Sequence, residues 1–326
     1  MDTLAFSLNA VLPIIGLVLL GYILRQTHVL NDAFIAMGNR FVFTFCFSSL
    51  MFVNVYNIKK FNPVYRDIAV FAAIAILVLM LGGFVWAVLF VKDPKQKGVM
   101  IQAFYRSNFA IIGVPLASSL YGSGGDPIAA IILACTIPLF NASAVIFLTV
   151  FVNEGKHTIP VRKILYKIVT NPLIIGIAAA LVCLALRPLM HGWTVKGGNL
   201  RFLYKIIESL AGIASPFALV ILGGQFRFSA ARRLFPLIAV GVFARLILAP
   251  VVGLSAAHFF FPQFGGPEYA ALIALFGSPI AVSSAIMANQ MDNDGELADQ
   301  LLVWTTLLSS VTIFCLVAFF RTVGIF

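Results

Sequence analysis

The feature that most constrains this chain is a series of apolar runs, each about as long as a membrane crossing. A helix needs about 20 apolar residues to span roughly 30 Å of hydrocarbon. The runs occupy residues 4–24, 41–56, 68–91, 102–123, 127–152, 171–190, 203–224, 234–260, 268–290 and 300–321. The sequence therefore predicts an all-α polytopic membrane protein with ten transmembrane helices.

Composition and charge agree with this interpretation. The chain is 61% hydrophobic and 10% charged, whereas soluble domains carry roughly 25% charged residues. The net charge is +10, but its Lys and Arg residues lie in short connectors, so membrane orientation explains them better than nucleic-acid binding. Four cysteines lie inside apolar runs without metal-ligand spacing. We expect a lipid bilayer around the protein, no nucleic acid, no metal and no cofactor.

The distribution of Lys and Arg predicts the orientation. The connectors after spans 1, 3, 5, 7 and 9 hold 13 of them, and the opposite side holds 8. By the positive-inside rule, both termini are expected to be non-cytoplasmic, in an inner (plasma) membrane. The start, "MDTLAFSLNAVLP", has no basic region, which is typical of a first transmembrane helix and not of a removable signal peptide.

The chain also contains an internal repeat. "GVPLASS" (113–119) and "GSPIAVSS" (277–284) share Gly-x-Pro, an apolar residue, Ala and a serine pair. Pro115 and Pro279 are 164 residues apart, close to half of the 326-residue chain, and each lies in the fourth span of a five-span half. Because five is odd, the halves must be inverted. We predict a first repeat over 1–153, a cytoplasmic connector over 154–170 and a second, inverted repeat over 171–326.

Paired Gly/Pro-interrupted segments indicate a transporter binding site. A broken helix at membrane depth is tolerated where it lines a cavity. We expect a new half-helix to begin at each proline, with its N-terminal N–H groups and partial positive charge facing an anion such as a carboxylate. The alternative is a pair of packing kinks whose serines bond back to their own helices.

Several polar residues are candidates for this site. Asn108 lies two turns before Pro115 and either contacts the substrate or bonds to a neighbouring helix. The predicted substrate-binding set is Asn108, Gly113, Pro115, Ser118, Ser119, Asn141, Ser278, Pro279, Ser283, Ser284, Asn289 and Gln290.

Two ionisable residues are also singled out. Arg245 lies about 18 Å along a helix from Arg233, near the midplane, and either pairs with an anionic substrate or neutralises the C-terminal end of a broken helix. No Asp or Glu occupies the centre of a predicted span. Glu208 is the deepest, and either couples protons or forms an interfacial salt bridge with Lys205 or Arg201.

At these residues the chain resembles the auxin efflux carrier family, which includes the plant PIN-formed carriers and bacterial malonate or malate transporters. The resemblance covers nearly the whole length. The motifs that carry it are "SNFAIIGVPLASSLYG" (107–122), "NPLIIGIAAAL" (171–181), "ARLILAP" (244–250) and "SPIAVSSAIMANQMDND" (278–294).

The resemblance implies two inverted five-helix repeats in which helices 4 and 9 cross at their prolines. Helices 1, 2, 6 and 7 would form a scaffold and homodimer interface, and helices 3–5 and 8–10 a transport domain that moves as an elevator. Asn108 would bind the carboxylate of a small organic anion. The chain reads "ANQM" (288–291) where plant carriers have a Tyr-containing stretch, and it lacks their long central loop. The resemblance thus favours a prokaryotic carboxylate carrier over an auxin carrier.

Other functions remain open at this point. A sodium-coupled bile-acid-type symporter or a cation/proton antiporter would share the fold, but the lack of core acids disfavours both. An integral membrane enzyme would need an intramembrane catalytic set, and no HExxH, paired-Asp or Ser-x-x-Lys motif is present. A channel would require rings of charge or filter carbonyls. We expect a secondary transporter of a small carboxylate or dicarboxylate, and not an enzyme.

Overall fold

A computed structural model describes residues 3–57, 65–121, 125–152, 161–189 and 194–325. Within these residues the secondary structure is helical, apart from one isolated β-bridge. The first half contains α1 (Thr3–Gln26), α2 (Asp32–Phe41), α3 (Ser48–Tyr56), α4 (Arg66–Phe90), α5 (Pro94–Tyr105), α6 (Val114–Tyr121) and α7 (Gly125–Val152). The second half contains α8 (Val161–Val169), α9 (Pro172–Leu186), α10 (Arg201–Gln225), α11 (Phe228–Phe243), α12 (Ala249–Phe260), α13 (Gly266–Gly277), α14 (Val282–Gln290) and α15 (Gly295–Thr322).

Each predicted apolar run coincides with a helix or with two helices in succession. Seven helical stretches in the described residues are long and apolar enough to cross a membrane. This confirms a helical membrane protein, whereas the count of ten crossings and the inverted repeats stay predictions. The predicted boundary at 153 and residues 154–160 of the connector lie outside the described residues.

Local sequence signals set several helix starts. Asn171 caps α9 by accepting a hydrogen bond from the Leu173 N–H, and Pro172 occupies the first helical position. Asp93 and Pro94 begin α5 in the same way. Such polar caps satisfy backbone donors that the first turn leaves free.

Among the described residues, three spans contain a π-helical turn, a wider coil that is frequent at functional sites. These turns cover Val42–Phe47, Phe109–Gly113 and Ala244–Leu248. A proline follows two residues after the second and the third, at Pro115 and Pro250. Each proline lacks an N–H donor and therefore leaves one helical hydrogen bond unmade. Both lie directly after a turn in which the backbone hydrogen bonds already depart from the α-helical pattern.

Glycines allow two pairs of helices to pack with their backbones in contact. A methyl group on Gly223 of α10 would overlap the Val18 carbonyl of α1, and one on Gly21 would overlap the Val220 carbonyl. Likewise, a methyl group on Gly176 of α9 would overlap the Ser48 carbonyl of α3. Small residues at such positions are characteristic of close helix packing in membranes.

Candidate functional site

Two interrupted helices cross in the interior of the protein. Helix α5 ends at Tyr105 and the chain resumes a helical course at Phe109, while α13 ends at Gly277 and α14 begins at Val282. The intervening segments form an antiparallel bridge between Ser107 and Ile280. The Asn108 N–H donates to the Pro279 carbonyl at 2.7 Å. Each broken segment therefore satisfies part of the other's backbone, which is how irregular structure is tolerated at membrane depth.

The position of the first break differs from the prediction. The sequence predicts a break at Pro115, but the helix stops at residues 106–108, and Pro115 is an exposed residue in the first turn of α6. Pro279 does lie in a break, yet three residues before α14, so neither proline occupies the first position of a half-helix. The reason is that the crossing bridge, and not the proline, interrupts the helix.

The crossing buries a guanidinium group that the sequence analysis did not select. Arg106 is 1% exposed. Its Nη1 donates to Gln102 Oε1 at 2.6 Å and to Met287 Sδ at 3.0 Å. Its Nη2 donates to Asn141 Oδ1 and to Ser283 Oγ, both at 2.8 Å. All four partners are neutral, and within the described part of the chain no carboxylate lies within ion-pair distance of Arg106.

Further hydrogen-bond donors beside Arg106 have no protein partner. They are the Asn108 amide Nδ2 and the Ser107 and Ser284 hydroxyls, which are buried and unpaired among the described residues. The Ser283 hydroxyl accepts from Arg106 and keeps its own proton to donate. Buried polar groups are normally hydrogen-bonded. An arrangement of free donors around one buried positive charge is chemically suited to an anion.

A cavity of about 170 Å³ is lined by Arg106, Ser107, Asn108, Asn141 and Ser283. One wall is the crossing itself, with Arg106 to Ile111 and Ala281 to Ser283. The opposite wall comes from the second and seventh spans, and includes Asn54 and Ser215. Apolar side chains complete the lining: Phe47, Leu50, Met51, Phe109, Ile137 and Phe140. Such a concave, mostly apolar site with a few convergent polar groups is typical of small-molecule pockets.

Arg245 lies elsewhere, next to the broken end of α13. It is fully buried, in the π-helical turn between α11 and α12. Its Nη2 donates to the Phe276 carbonyl at 2.7 Å and to the Leu275 carbonyl at 3.4 Å. These carbonyls are at the C-terminal end of α13, where the helix dipole favours a cation. These contacts match the alternative in which Arg245 neutralises the end of a broken helix, and Arg245 does not line the cavity.

Comparison with known proteins identifies the family. Residues 6–317 match the model of the family described as "Membrane transport protein". The chain belongs to this family. An "Uncharacterized transporter" of Methanothermobacter thermautotrophicus is similar along its length: it is 23% identical over 310 residues, which cover 94% of this chain and 96% of that protein. The auxin efflux carrier-type resemblance is thereby confirmed at the family level, and the protein is a membrane transporter.

Three residues of the predicted set, Asn108, Asn141 and Ser283, line the cavity of this transporter. Gly113 packs against α13, where a methyl group would lie 2.9 Å from the Ala274 carbonyl oxygen. Pro279 and Ser284 belong to the crossing but not to the cavity lining.

The other predicted residues lie outside the cavity. The Ser118 hydroxyl donates to the Val114 carbonyl at 3.1 Å in its own helix, as the alternative interpretation anticipated, and Ser119 is exposed. The Ser278 hydroxyl donates to the Ala274 carbonyl at 2.6 Å. Asn289 and Gln290 are at the far end of α14.

The acidic residues also differ from expectation. Glu208 is exposed on α10, and it forms no ion pair with the described residues. Asp299, by contrast, is 4% exposed in the second turn of α15. The hydropathy pattern does not reveal it, because the predicted apolar run begins only at residue 300. Arg106 was missed for a similar reason: it was counted among the connector charges, although it lies inside the predicted run 102–123.

Proposed function

We propose that this transporter moves a small organic anion, a carboxylate or dicarboxylate such as malonate or malate, across the membrane. The observation that carries the proposal is the buried Arg106 guanidinium at the crossing, with neutral partners and unpaired donors beside it. Taking an isolated charge out of water costs several kcal/mol. A carboxylate bound in the cavity would offset this cost by pairing with the guanidinium.

The same charge disfavours the cation-coupled alternatives at this site. A sodium ion or another cation in the cavity would meet the positive charge of Arg106 at close range. Like charges in a poorly solvated site repel strongly. We therefore retain an anion as the transported species.

We further propose alternating access by an elevator motion of two inverted repeats. The cavity lies between the crossing and the second and seventh spans, where a substrate would contact both a moving and a fixed domain. The glycine contacts pair the first span with the seventh and the sixth span with the second. An inverted five-helix repeat relates span 1 to span 6 and span 7 to span 2, so it would convert the first of these pairs into the second. In this proposal spans 1, 2, 6 and 7 form the scaffold and the homodimer interface, in a plasma membrane with both termini non-cytoplasmic.

Replacing Asn108 by alanine tests the site directly. The change removes an unpaired buried donor, so the unliganded protein should keep its stability. We expect at least about tenfold weaker binding of malonate, malate or succinate, since a hydrogen bond to a charged group contributes about 1.5–3 kcal/mol. The measurement is the ligand-induced thermal shift of detergent-purified protein, because a ligand that binds the folded state raises its apparent stability.

Ser119→Ala serves as the matched control, since Ser119 is exposed outside the cavity. It should retain the wild-type shift. Indole-3-acetate is included to test an auxin-like substrate. If wild-type protein responds to sodium and to none of these carboxylates, the anion proposal is wrong.

A further inference from the structure

A second buried polar cluster lies away from the crossing, around Asp299. Gln225 Nε2 donates to both carboxylate oxygens of Asp299, at 2.9 and 3.1 Å, and Asn289 Nδ2 donates to Oδ1 at 3.1 Å. Asn39 Nδ2 donates in turn to Gln225 Oε1 at 2.8 Å. The cluster therefore joins α2 and α10 to α14 and α15 through one carboxyl group.

No cation compensates this carboxyl group among the described residues. Two charged residues precede Asp299 at the start of α15, Asp294 and Glu296, and both are acidic. Glu296 is paired with Arg227 and Arg233. The basic residues at the same end of the neighbouring helices are Arg25 on α1, Arg40 on α2, Lys95 and Lys97 on α5, and Arg232 on α11. None of them forms an ion pair with Asp299.

The number of oxygen ligands favours a proton over a metal ion. A sodium or other hard cation requires several oxygen ligands, whereas the cluster offers, beside the two Asp299 oxygens, at most one amide oxygen each from Gln225 and Asn289. A proton needs no additional oxygen ligands, and it removes the charge that burial makes unfavourable.

The cluster can satisfy both protonation states. With Asp299 ionised, hydrogen bonds run from Asn39 to Gln225 and from Gln225 to the carboxylate. With Asp299 protonated, the Gln225 and Asn39 amides would both reverse, so that Gln225 Oε1 accepts the acid O–H and Gln225 Nε2 donates to Asn39 Oδ1. That oxygen is buried and has no partner in the described residues, and Asn39 is 5% exposed. The structure thus contains the spare acceptor that the protonated form requires.

Asp299 also has a short route to water. Gln225 and Asn289, its direct partners, are half-buried at the ends of α10 and α14. The ends of these helices and the start of α15 adjoin the connectors that the Lys and Arg distribution assigns to the cytoplasm. A proton can therefore reach the carboxyl group from that side without crossing the core.

We propose that Asp299 is a proton-binding site that couples transport to protons. The coupling rests on the proposed function, because α2 and α10 lie in the scaffold and α14 and α15 in the moving domain. A proton from water on one side adds to the Asp299 carboxylate. The neutral acid then lacks the charge-assisted hydrogen bonds by which the carboxylate holds Gln225. The moving domain carries this proton with it and releases it to water on the other side.

Infrared difference spectroscopy of the purified full-length protein tests the proton site without any substrate. Lowering the pH should produce the carbonyl stretch of a protonated, water-shielded carboxyl in the wild type. Asp299→Asn should lose that band, and Glu296→Gln, which alters a half-buried, ion-paired carboxyl three residues away, should retain it. The same band in Asp299→Asn, or no such band in the wild type, would overturn the proposal.

Proteoliposomes test the coupling, with radiolabelled malonate as the probe. A pH gradient should drive malonate accumulation by the wild type and by Glu296→Gln. Asp299→Asn, which resembles the protonated acid, should still exchange malonate but accumulate it no more than without a gradient. Gradient-driven accumulation by this variant would refute the coupling. If a sodium gradient drives malonate accumulation by the wild type but not by Asp299→Asn, the coupling ion is sodium and the proton proposal is wrong. If wild-type protein takes up no malonate, the proposed substrate fails, while the infrared result still decides the proton site.

Discussion

Replacing Arg106 by glutamine is expected to weaken carboxylate binding strongly without lowering the stability of the unliganded protein. Glutamine can keep hydrogen bonds to Asn141 or Ser283 but carries no charge. Removing one partner of a buried charge pair costs about 2–5 kcal/mol, and 1.4 kcal/mol corresponds to a factor of ten. We therefore expect malonate or malate affinity to fall by at least about 30-fold. A titrated thermal shift on purified protein measures both quantities in one experiment.

The stability readout separates a ligand-binding role from a structural one. Burial of a charge without an acidic partner is unfavourable, and replacing buried charges by neutral groups is often neutral or stabilising. An unliganded midpoint equal to or above that of the wild type, with the ligand shift lost, matches a binding role. Arg66→Gln is the control, because Arg66 is exposed and pairs with Asp67 outside the cavity. A variant at Arg106 that binds carboxylates as tightly as Arg66→Gln would contradict the assignment.

Replacing Gly223 by alanine is expected to have the largest effect on stability. The new methyl group would overlap the Val18 carbonyl, and a backbone atom cannot move aside as a side chain does. Helices α1 and α10 would have to separate, which costs about 1–3 kcal/mol or more for an overpacked contact. The measurement is the midpoint of thermal unfolding in detergent. A helix content close to that of the wild type would show that the variant still folds.

Gly212→Ala in the same helix is the matched control. A methyl group at Gly212 meets no atom within 4 Å, and alanine favours a helix by about 1 kcal/mol over glycine. This variant should be as stable as the wild type or more so. Equal losses in the two variants would show that helix flexibility, and not the close contact with α1, explains the glycine at 223.

The helical architecture could be predicted from sequence because apolar runs of membrane length admit few alternatives. Backbone groups must bond internally in hydrocarbon, so each run becomes a helix. The matched Gly-x-Pro segments correctly indicated that two helices are interrupted. They did not give the position of the first interruption, because the bridge between Ser107 and Ile280 depends on residues distant in sequence.

The site was only partly predictable for the same reason. Asn108 and Asn141 were selected as polar residues in apolar runs and Ser283 as part of the serine pair after Pro279, and all three line the cavity. Asn54 and Ser215 reach the cavity from other helices, which no local spacing reveals. Arg106 and Asp299 sit at the edges of apolar runs, where a charged residue usually marks a connector. Their burial is a property of the tertiary packing.

The central claim is that the crossing holds a carboxylate against Arg106. The most direct test is a structure of the protein with bromomalonate, in which anomalous scattering locates the bromine. We predict one bromine peak in the cavity, with the carboxylate within hydrogen-bond distance of Arg106 and Asn108. A bromine peak elsewhere, or an empty cavity under conditions where the protein saturably transports bromomalonate, would contradict this account.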